Sequence, residues 1–103
     1  MADWLTVGSA GDVPEGQLLG ATAGDVRVLV ANVAGEYLAV GDVCPHASCL
    51  LSDGWLEGEA VECGCHGSMF SVRTGEVVQG PAEAPVPTYL VRVDGDEIQV
   101  EAP

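Results

Sequence analysis

The chain has 103 residues, which is the length of one domain with a modest core. Its 16 acidic residues stand against three arginines and no lysine, so the formal net charge is −13. A surface with this charge repels nucleic acid and anionic membranes. It either attracts a partner with a basic docking face or serves solubility alone. No apolar run approaches the roughly 18 residues of a membrane-spanning helix.

The spacing of turn residues predicts an all-β fold. Turns recur every ~8–12 positions, and no segment keeps a helical period. A first strand is predicted around Leu5 and Val7. The β-branched run 26–33 should form a hairpin with 37–40. Further strands are predicted at 60–63, 70–72, 76–78, 90–93 and 98–100, and the turn Asp94-Gly95 joins the last two.

Two short cysteine–histidine pairs concentrate the metal-binding side chains. They are Cys44-Pro45-His46 and Cys63-Gly64-Cys65-His66, and they contain both histidines of the chain. Two cysteines and two histidines suit tetrahedral zinc, but zinc fingers place two cysteines on one element and two histidines on another. One of each on both loops favours a binuclear cluster, in which one iron takes both thiolates and the other takes both imidazoles.

The spacing Cys44-x-His46 and Cys63-x-x-His66 resembles that of Rieske iron–sulfur proteins of the small soluble ferredoxin kind. The resemblance covers nearly the whole chain, since its length and strand pattern fit a single Rieske domain. It implies one [2Fe–2S] cluster, with Cys44 and Cys63 on one iron and His46 and His66 on the other. It also implies stacked antiparallel sheets with a cluster-bearing tip. Zinc remains the non-redox alternative.

The other two cysteines match a feature of cytochrome bc-type Rieske proteins, in which a disulfide ties the two cluster loops together. By this resemblance Cys49 and Cys65 form that disulfide. The alternative is two free buried thiols, which are common in protein cores. Disulfides are rare in the cytosol, although a shielded structural bridge resists reduction by the thiol pool.

Two positions near the second loop are expected to set the reduction potential. In the high-potential branch of the family, a serine at the position of Ser68 donates its hydroxyl to a bridging sulfide. That bond stabilises the reduced cluster and raises the potential. A tyrosine two positions later usually donates to a ligand sulfur, but this chain has Phe70. One of the two potential-raising donors is therefore missing.

The domain organisation follows from the same pattern. We expect a single domain over 1–103, with a β base built from both ends of the chain and a cluster-binding subdomain at about 43–82. Pro81 resembles the proline loop that covers the cluster in related proteins; the alternative is an ordinary connection back to the base. Trp4 and Trp55 are expected to be packing residues and not electron relays.

The resemblance implies an electron-transfer protein and not an enzyme, because four ligands on each iron leave no open position for a substrate. We expect a monomeric ferredoxin that passes electrons from a flavoprotein NAD(P)H reductase to a terminal oxygenase, in particular a ring-hydroxylating one. The N-terminal residues of the chain show neither the basic segment nor the apolar segment of a signal peptide, which favours a cytoplasmic location. The alternatives are a fixed subunit of a larger oxidase or reductase, such as a nitrite reductase small subunit, and a redox-responsive or cluster-assembly accessory protein.

The docking face is expected at the tip that carries the two histidines. By resemblance, His46 and His66 lie at the exposed end of the cluster and form the electron exit. Ala47, Met69 and Pro81 would be their apolar neighbours. A partner would therefore approach the cluster from the imidazole side.

We expect an intermediate midpoint potential, because Ser68 is present and Phe70 replaces the tyrosine. The value should lie below that of cytochrome bc-type proteins and above that of ferredoxins lacking both the serine and the disulfide. Rieske centres span roughly −150 to +300 mV. A redox titration followed by electron paramagnetic resonance measures the midpoint, and a value near either end of that span would contradict this expectation.

Overall fold

The computed structural model describes residues 3–45, 49–65 and 67–101. Within these ranges eleven strands form three antiparallel sheets, which confirms the predicted all-β class. Two short 3₁₀ helices, Ala10–Asp12 and Leu51–Asp53, lie between strands. The described part of the chain contains no helix that is long and apolar enough to cross a membrane.

Two sheets build the base from both ends of the chain. The first has the order β1-β11-β10, with β1 at Trp4–Ser9, β10 at Val91–Asp94 and β11 at Glu97–Glu101. The second has the order β2-β3-β4-β9, with β2 at Leu18–Ala23, β3 at Val26–Val33, β4 at Glu36–Gly41 and β9 at Thr88–Tyr89. The two hairpins that the sequence predicts for the base, β3-β4 and β10-β11, are present.

Two strands of the base were not predicted. The β2 segment contains one glycine and two alanines, which are weak strand formers, yet it pairs with β3 along its full length. The β9 segment has only two residues, pairing with Ala39 and Val40 of β4. In both cases the strand forms because a stronger neighbour offers its backbone groups for pairing.

The third sheet carries the second cysteine loop and lies within 43–82. Its order is β5-β6-β7-β8, with β5 at Trp55–Glu57, β6 at Ala60–Glu62, β7 at Met69–Ser71 and β8 at Val77–Gln79. Strands were predicted near β6, β7 and β8. Only β5 was missed, since it lies between Gly54 and Gly58 in a stretch that the glycines indicate as a turn region.

The register of this sheet separates a buried row of side chains from an exposed one. The buried row joins the core that also contains both unpaired cysteines and base residues from β3 and β4. The base and the cysteine loops therefore share one apolar core. The members of the buried row, one from each strand, are Leu56, Val61, Phe70 and Val77, of which Val61 and Phe70 are fully buried and the other two partly buried.

The two tryptophans have different environments. Trp4 is partly buried, and the guanidinium carbon of Arg92 lies 4.5 Å from its ring centroid. Trp55 is 47% exposed, so it fulfils the packing role expected for it only in part. The register explains this result, since Trp55 lies opposite Glu62 on the outer face of the third sheet.

Gly54 fills a position where the chain passes too close to β6 for a side chain. A Cβ at this position would overlap the carbonyl oxygen of Glu62. We expect Gly54→Ala to lower the free energy of unfolding by ~1–3 kcal/mol, because the backbone must move. Gly11→Ala is the control, since a Cβ there meets nothing within 4 Å. Thermal unfolding measures both variants, and equal melting temperatures would contradict the expectation.

Candidate metal centre

The two cysteine loops share the same backbone construction. In each, the amide of the leading cysteine donates a hydrogen bond to the carbonyl five residues later. Cys44 N donates to Cys49 O at 2.8 Å, and Cys63 N donates to Ser68 O at 2.8 Å. Backbone pairing also closes the ends of each loop, between Val43 and Leu50 in the first and between Glu62 and Met69 in the second.

The structure sorts the four cysteines into two groups. Cys44 and Cys63 form no disulfide, are each only 1% exposed and belong to the shared core. Cys49 and Cys65 are joined by a disulfide, with their Cα atoms 6.5 Å apart. The sulfurs of this bridge and the Sγ atom of Cys63 all lie within 4.8 Å of one another. One covalent bond therefore connects the loops beside a buried thiol.

The residues that directly precede the two predicted histidine ligands lie at the surface. His46 and His66 lie outside the described residues, as does Ala47. Pro45 and Cys65, which precede the two histidines in the chain, are exposed. The leading cysteine of each loop is thus buried, and the residue before each histidine is at the surface.

Ser68 is buried and tied to the segment that follows β8. Its Oγ atom accepts a hydrogen bond from the Ala82 amide at 3.0 Å, and Ser68 itself is 1% exposed. This bond uses an acceptor site of the hydroxyl and leaves its proton available for donation. The predicted bond from Ser68 to a bridging sulfide is compatible with this geometry and stays a prediction.

Phe70 occupies the buried row of the third sheet and is fully buried. Its ring packs in the core that contains Cys44 and Cys63. It offers that core apolar contact and no hydroxyl donor. The effect of this residue on the potential stays a prediction.

Pro81 lies next to the first loop. Pro45 and Pro81 line the same shallow surface hollow, together with Glu83 and Ala84. Through Ala82, the neighbouring residue, the same segment bonds to Ser68 of the second loop. The proline segment thus borders both loops, which is the arrangement that a third wall would need; that role stays a prediction.

A buried carboxylate at the neck of the first loop was not found by the sequence analysis. Asp42 is 0% exposed and directly follows β4. Its side chain accepts hydrogen bonds from Ser52 N at 2.7 Å, Ser52 Oγ at 2.8 Å and Arg27 Nη2 at 2.7 Å. Its carbonyl accepts from the Leu51 amide at 2.6 Å. Asp42 therefore joins the chain entering the first loop to the chain leaving it.

We call the hydrogen-bonded cluster of Asp42, Arg27 and Ser52 the Asp42 clamp. The sequence gives only a weak signal for it, because its members are far apart in the chain. An aspartate directly after an apolar strand and shortly before Cys44 is the one local indication. Gly20 completes the arrangement, since a Cβ at that position would overlap the side chains of Ser52 and Arg27. A charge this deeply buried is tolerated because several donors satisfy it.

The donor set fits one end of a [2Fe–2S] cluster. Two buried thiols lead two equivalent loops, and these loops are held together by a disulfide, a shared core and the proline segment. Thiolates are the usual ligands of iron in such clusters. Burial limits access of water to them, which favours a stable metal site over a reactive thiol.

Comparison with known proteins gives the same family over most of the chain. Residues 3–90 match the family model described as the Rieske [2Fe-2S] domain. The ferredoxin component of biphenyl 2,3-dioxygenase from Rhodococcus jostii (strain RHA1) is 42% identical over 93 residues, covering 90% of this chain and 87% of the relative.

Solved structures share the fold at similar coverage. The ferredoxin of carbazole 1,9a-dioxygenase from Nocardioides aromaticivorans IC177 has a TM-score of 0.91 and 29% identity, over 97% of this chain and 98% of that chain. A chain in the complex of reduced oxygenase and oxidized ferredoxin in carbazole 1,9a-dioxygenase has a TM-score of 0.89 and 32% identity, over 95% of this chain and 92% of that chain.

We predict that the Asp42 clamp fixes the first loop and not only the fold. Asp42→Ala should cost about 2–3 kcal/mol of stability, since it removes three hydrogen bonds to a buried charge. It should also broaden the electron paramagnetic resonance lines and speed the loss of iron, because the loop neck opens.

The matched control is Asn32→Ala in the base. Asn32 is also buried, donating to the Val13 carbonyl at 2.8 Å and accepting from the Gly35 amide at 2.8 Å. This variant should lose stability but keep the wild-type spectrum and iron retention. If both variants retain iron equally well with unchanged spectra, Asp42 has no particular role at the metal site.

Proposed function

Since this chain belongs to the Rieske [2Fe–2S] family, we propose that it is a ferredoxin, the one-electron carrier of a ring-hydroxylating dioxygenase system. Its resident cofactor is one [2Fe–2S] cluster, which supplies one-electron transfer when bound. The observation that carries the proposal is the match, over most of both chains, to the ferredoxin component of biphenyl 2,3-dioxygenase. The chain is an electron-transfer protein and not itself an enzyme.

The proposed ligands are Cys44 and Cys63 on one iron and His46 and His66 on the other. Burial of both thiols, equivalent positions in the two loops and the disulfide between those loops support the thiolate half. Ser68, Phe70 and Pro81 are the proposed neighbours that tune and cover the site. The histidine half rests on the family spacing.

The proposed domain organisation is a single domain over 1–103 with a cluster-binding subdomain at about 43–82. The third sheet and both cysteine loops lie within these limits. Both ends of the chain form the base, since β1 pairs with β11. The core shared by base and loops supports one folding unit.

The proposed partners are a flavoprotein NAD(P)H reductase, which supplies electrons, and a terminal oxygenase, which receives them. A solved complex of an oxygenase with a ferredoxin of this fold supports the second partner. The net charge of −13 favours partners with basic docking faces and disfavours self-association, so we propose a monomer. The proposed location is the cytoplasm, where NAD(P)H is the electron source.

Cysteine variants test the cluster assignment. Cys44→Ser and Cys63→Ser should lose iron or shift the Rieske-type spectrum, because each removes a proposed ligand. The double variant Cys49→Ser with Cys65→Ser should keep that spectrum, since it removes only the bridge. His46→Cys or His66→Cys should abolish the Rieske-type signal. An unchanged spectrum in Cys44→Ser or His46→Cys would contradict the ligand assignment.

A reconstitution tests the carrier role. The reductase and oxygenase of the Rhodococcus biphenyl 2,3-dioxygenase system, without their own ferredoxin, are mixed with this holoprotein, NADH and biphenyl as the substrate that takes up the oxygen. Oxygen uptake should appear with the wild type and be absent with Cys44→Ser. Reduction of the cluster with no oxygen uptake would contradict the dioxygenase assignment and favour a fixed subunit of another system.

A further inference from the structure

An exposed apolar surface lies beside the disulfide, and it consists of residues other than those expected at the histidine tip. We call it the disulfide face and define it by Leu50, Trp55, Gly64 and Cys65. Trp55 is 47% exposed, and Gly64 and Cys65 are also exposed. Together with Cys49 and Asp53, the residues Leu50, Gly64 and Cys65 line one shallow hollow.

Contacts show that Trp55 continues this hollow. An ideal Cβ on Gly64 would lie 4.0 Å from Cζ3 of Trp55 and 3.9 Å from the Asp53 carbonyl oxygen. The indole therefore lies against the second cysteine loop, next to the bridge. A large, half-exposed aromatic ring in this position is typical of the anchor of a protein interface.

Carboxylates form the rim of the disulfide face. Asp53 lines the hollow and is exposed. Glu62 lies opposite Trp55 in the strand pairing, and Glu57 follows Trp55 by two positions, so both share its side of the sheet. All three side chains of this rim are acidic, so the rim is negatively charged.

Each arginine of the chain is engaged elsewhere. Arg27 bonds to buried Asp42, and Arg92 stacks on Trp4. Arg73 bonds to Glu36 and Glu59, and its hydrogen bond and charge lower the pKa of Glu36. Since the chain has no lysine, no described residue offsets the negative rim of the disulfide face.

We propose that the disulfide face is a docking surface for a redox protein that presents an apolar contact ringed by lysine or arginine side chains. The proposal rests on the carrier function proposed above and names the partner chemistry for one side of the molecule. A second copy of this chain is not the occupant, because two chains that each carry a net charge of −13 repel each other. Contact at this face would bring the partner against the second cysteine loop.

The proposal predicts separate effects for the anchor and the rim. Removing the Trp55 ring should weaken the encounter by roughly tenfold or more, as for an aromatic anchor. Removing the Asp53 charge should slow association about two- to threefold at low salt and reduce its salt dependence.

The test measures electron transfer from the reduced holoprotein by stopped flow, with two acceptors. Cytochrome c is the basic protein probe, and ferricyanide is the small anionic control. The variants are Trp55→Ala and Asp53→Asn. Matched controls are Leu90→Ala, which changes a side chain that is 65% exposed, and Asp94→Asn, which removes an exposed charge from the end of β10.

The proposal expects Trp55→Ala and Asp53→Asn to slow transfer to cytochrome c but not to ferricyanide, while both controls behave as the wild type. If the face variants match their controls, or if Trp55→Ala slows both acceptors equally, the docking proposal is overturned. Concentration-dependent dimers that Trp55→Ala abolishes would likewise overturn it in favour of self-association. A wild type that reduces neither acceptor would instead overturn the carrier function.

Discussion

One hydrogen bond, made twice, organises this protein. The amide of a leading cysteine bonds to the carbonyl five residues ahead, in the first loop and again in the second. Each bond turns the chain tightly and directs one thiol, Cys44 or Cys63, into the core. The flanking strands, the disulfide and the proline segment then hold the two turns together. Because the two loops share one construction, each loop can provide one ligand to each iron.

The buried groups around these turns explain how a small domain keeps them in place. Asp42 closes the neck of the first loop with hydrogen bonds to Ser52 and Arg27. Ser68 closes the second against the segment that contains Pro81. A domain of this size has little apolar area to spare, so covalent and metal cross-links contribute strongly to its order. The base also helps to hold the loops in place, through the apolar core that it shares with them.

The sequence predicted those features that depend on neighbours in the chain. The long alternating runs of β3 and β4 and the two cysteine–histidine pairs were of this kind. The clamp of Asp42 with Arg27 was missed, because it joins residues fifteen positions apart whose types alone suggest surface charges. The exposure of Trp55 was missed for a related reason: it depends on the register of a three-residue strand, and a shift of one residue reverses the face. The disulfide between Cys49 and Cys65 came from family resemblance and not from spacing.

The central claim is that the two loops hold one cluster with two unlike irons, one bound by thiolates and the other by imidazoles. Mössbauer spectroscopy of the oxidised holoprotein enriched in ⁵⁷Fe tests this claim most directly. We predict two iron environments of equal population with different isomer shifts, because sulfur and nitrogen ligands donate electron density differently. A single environment for both irons, or a protein that holds zinc and no iron, would contradict the account.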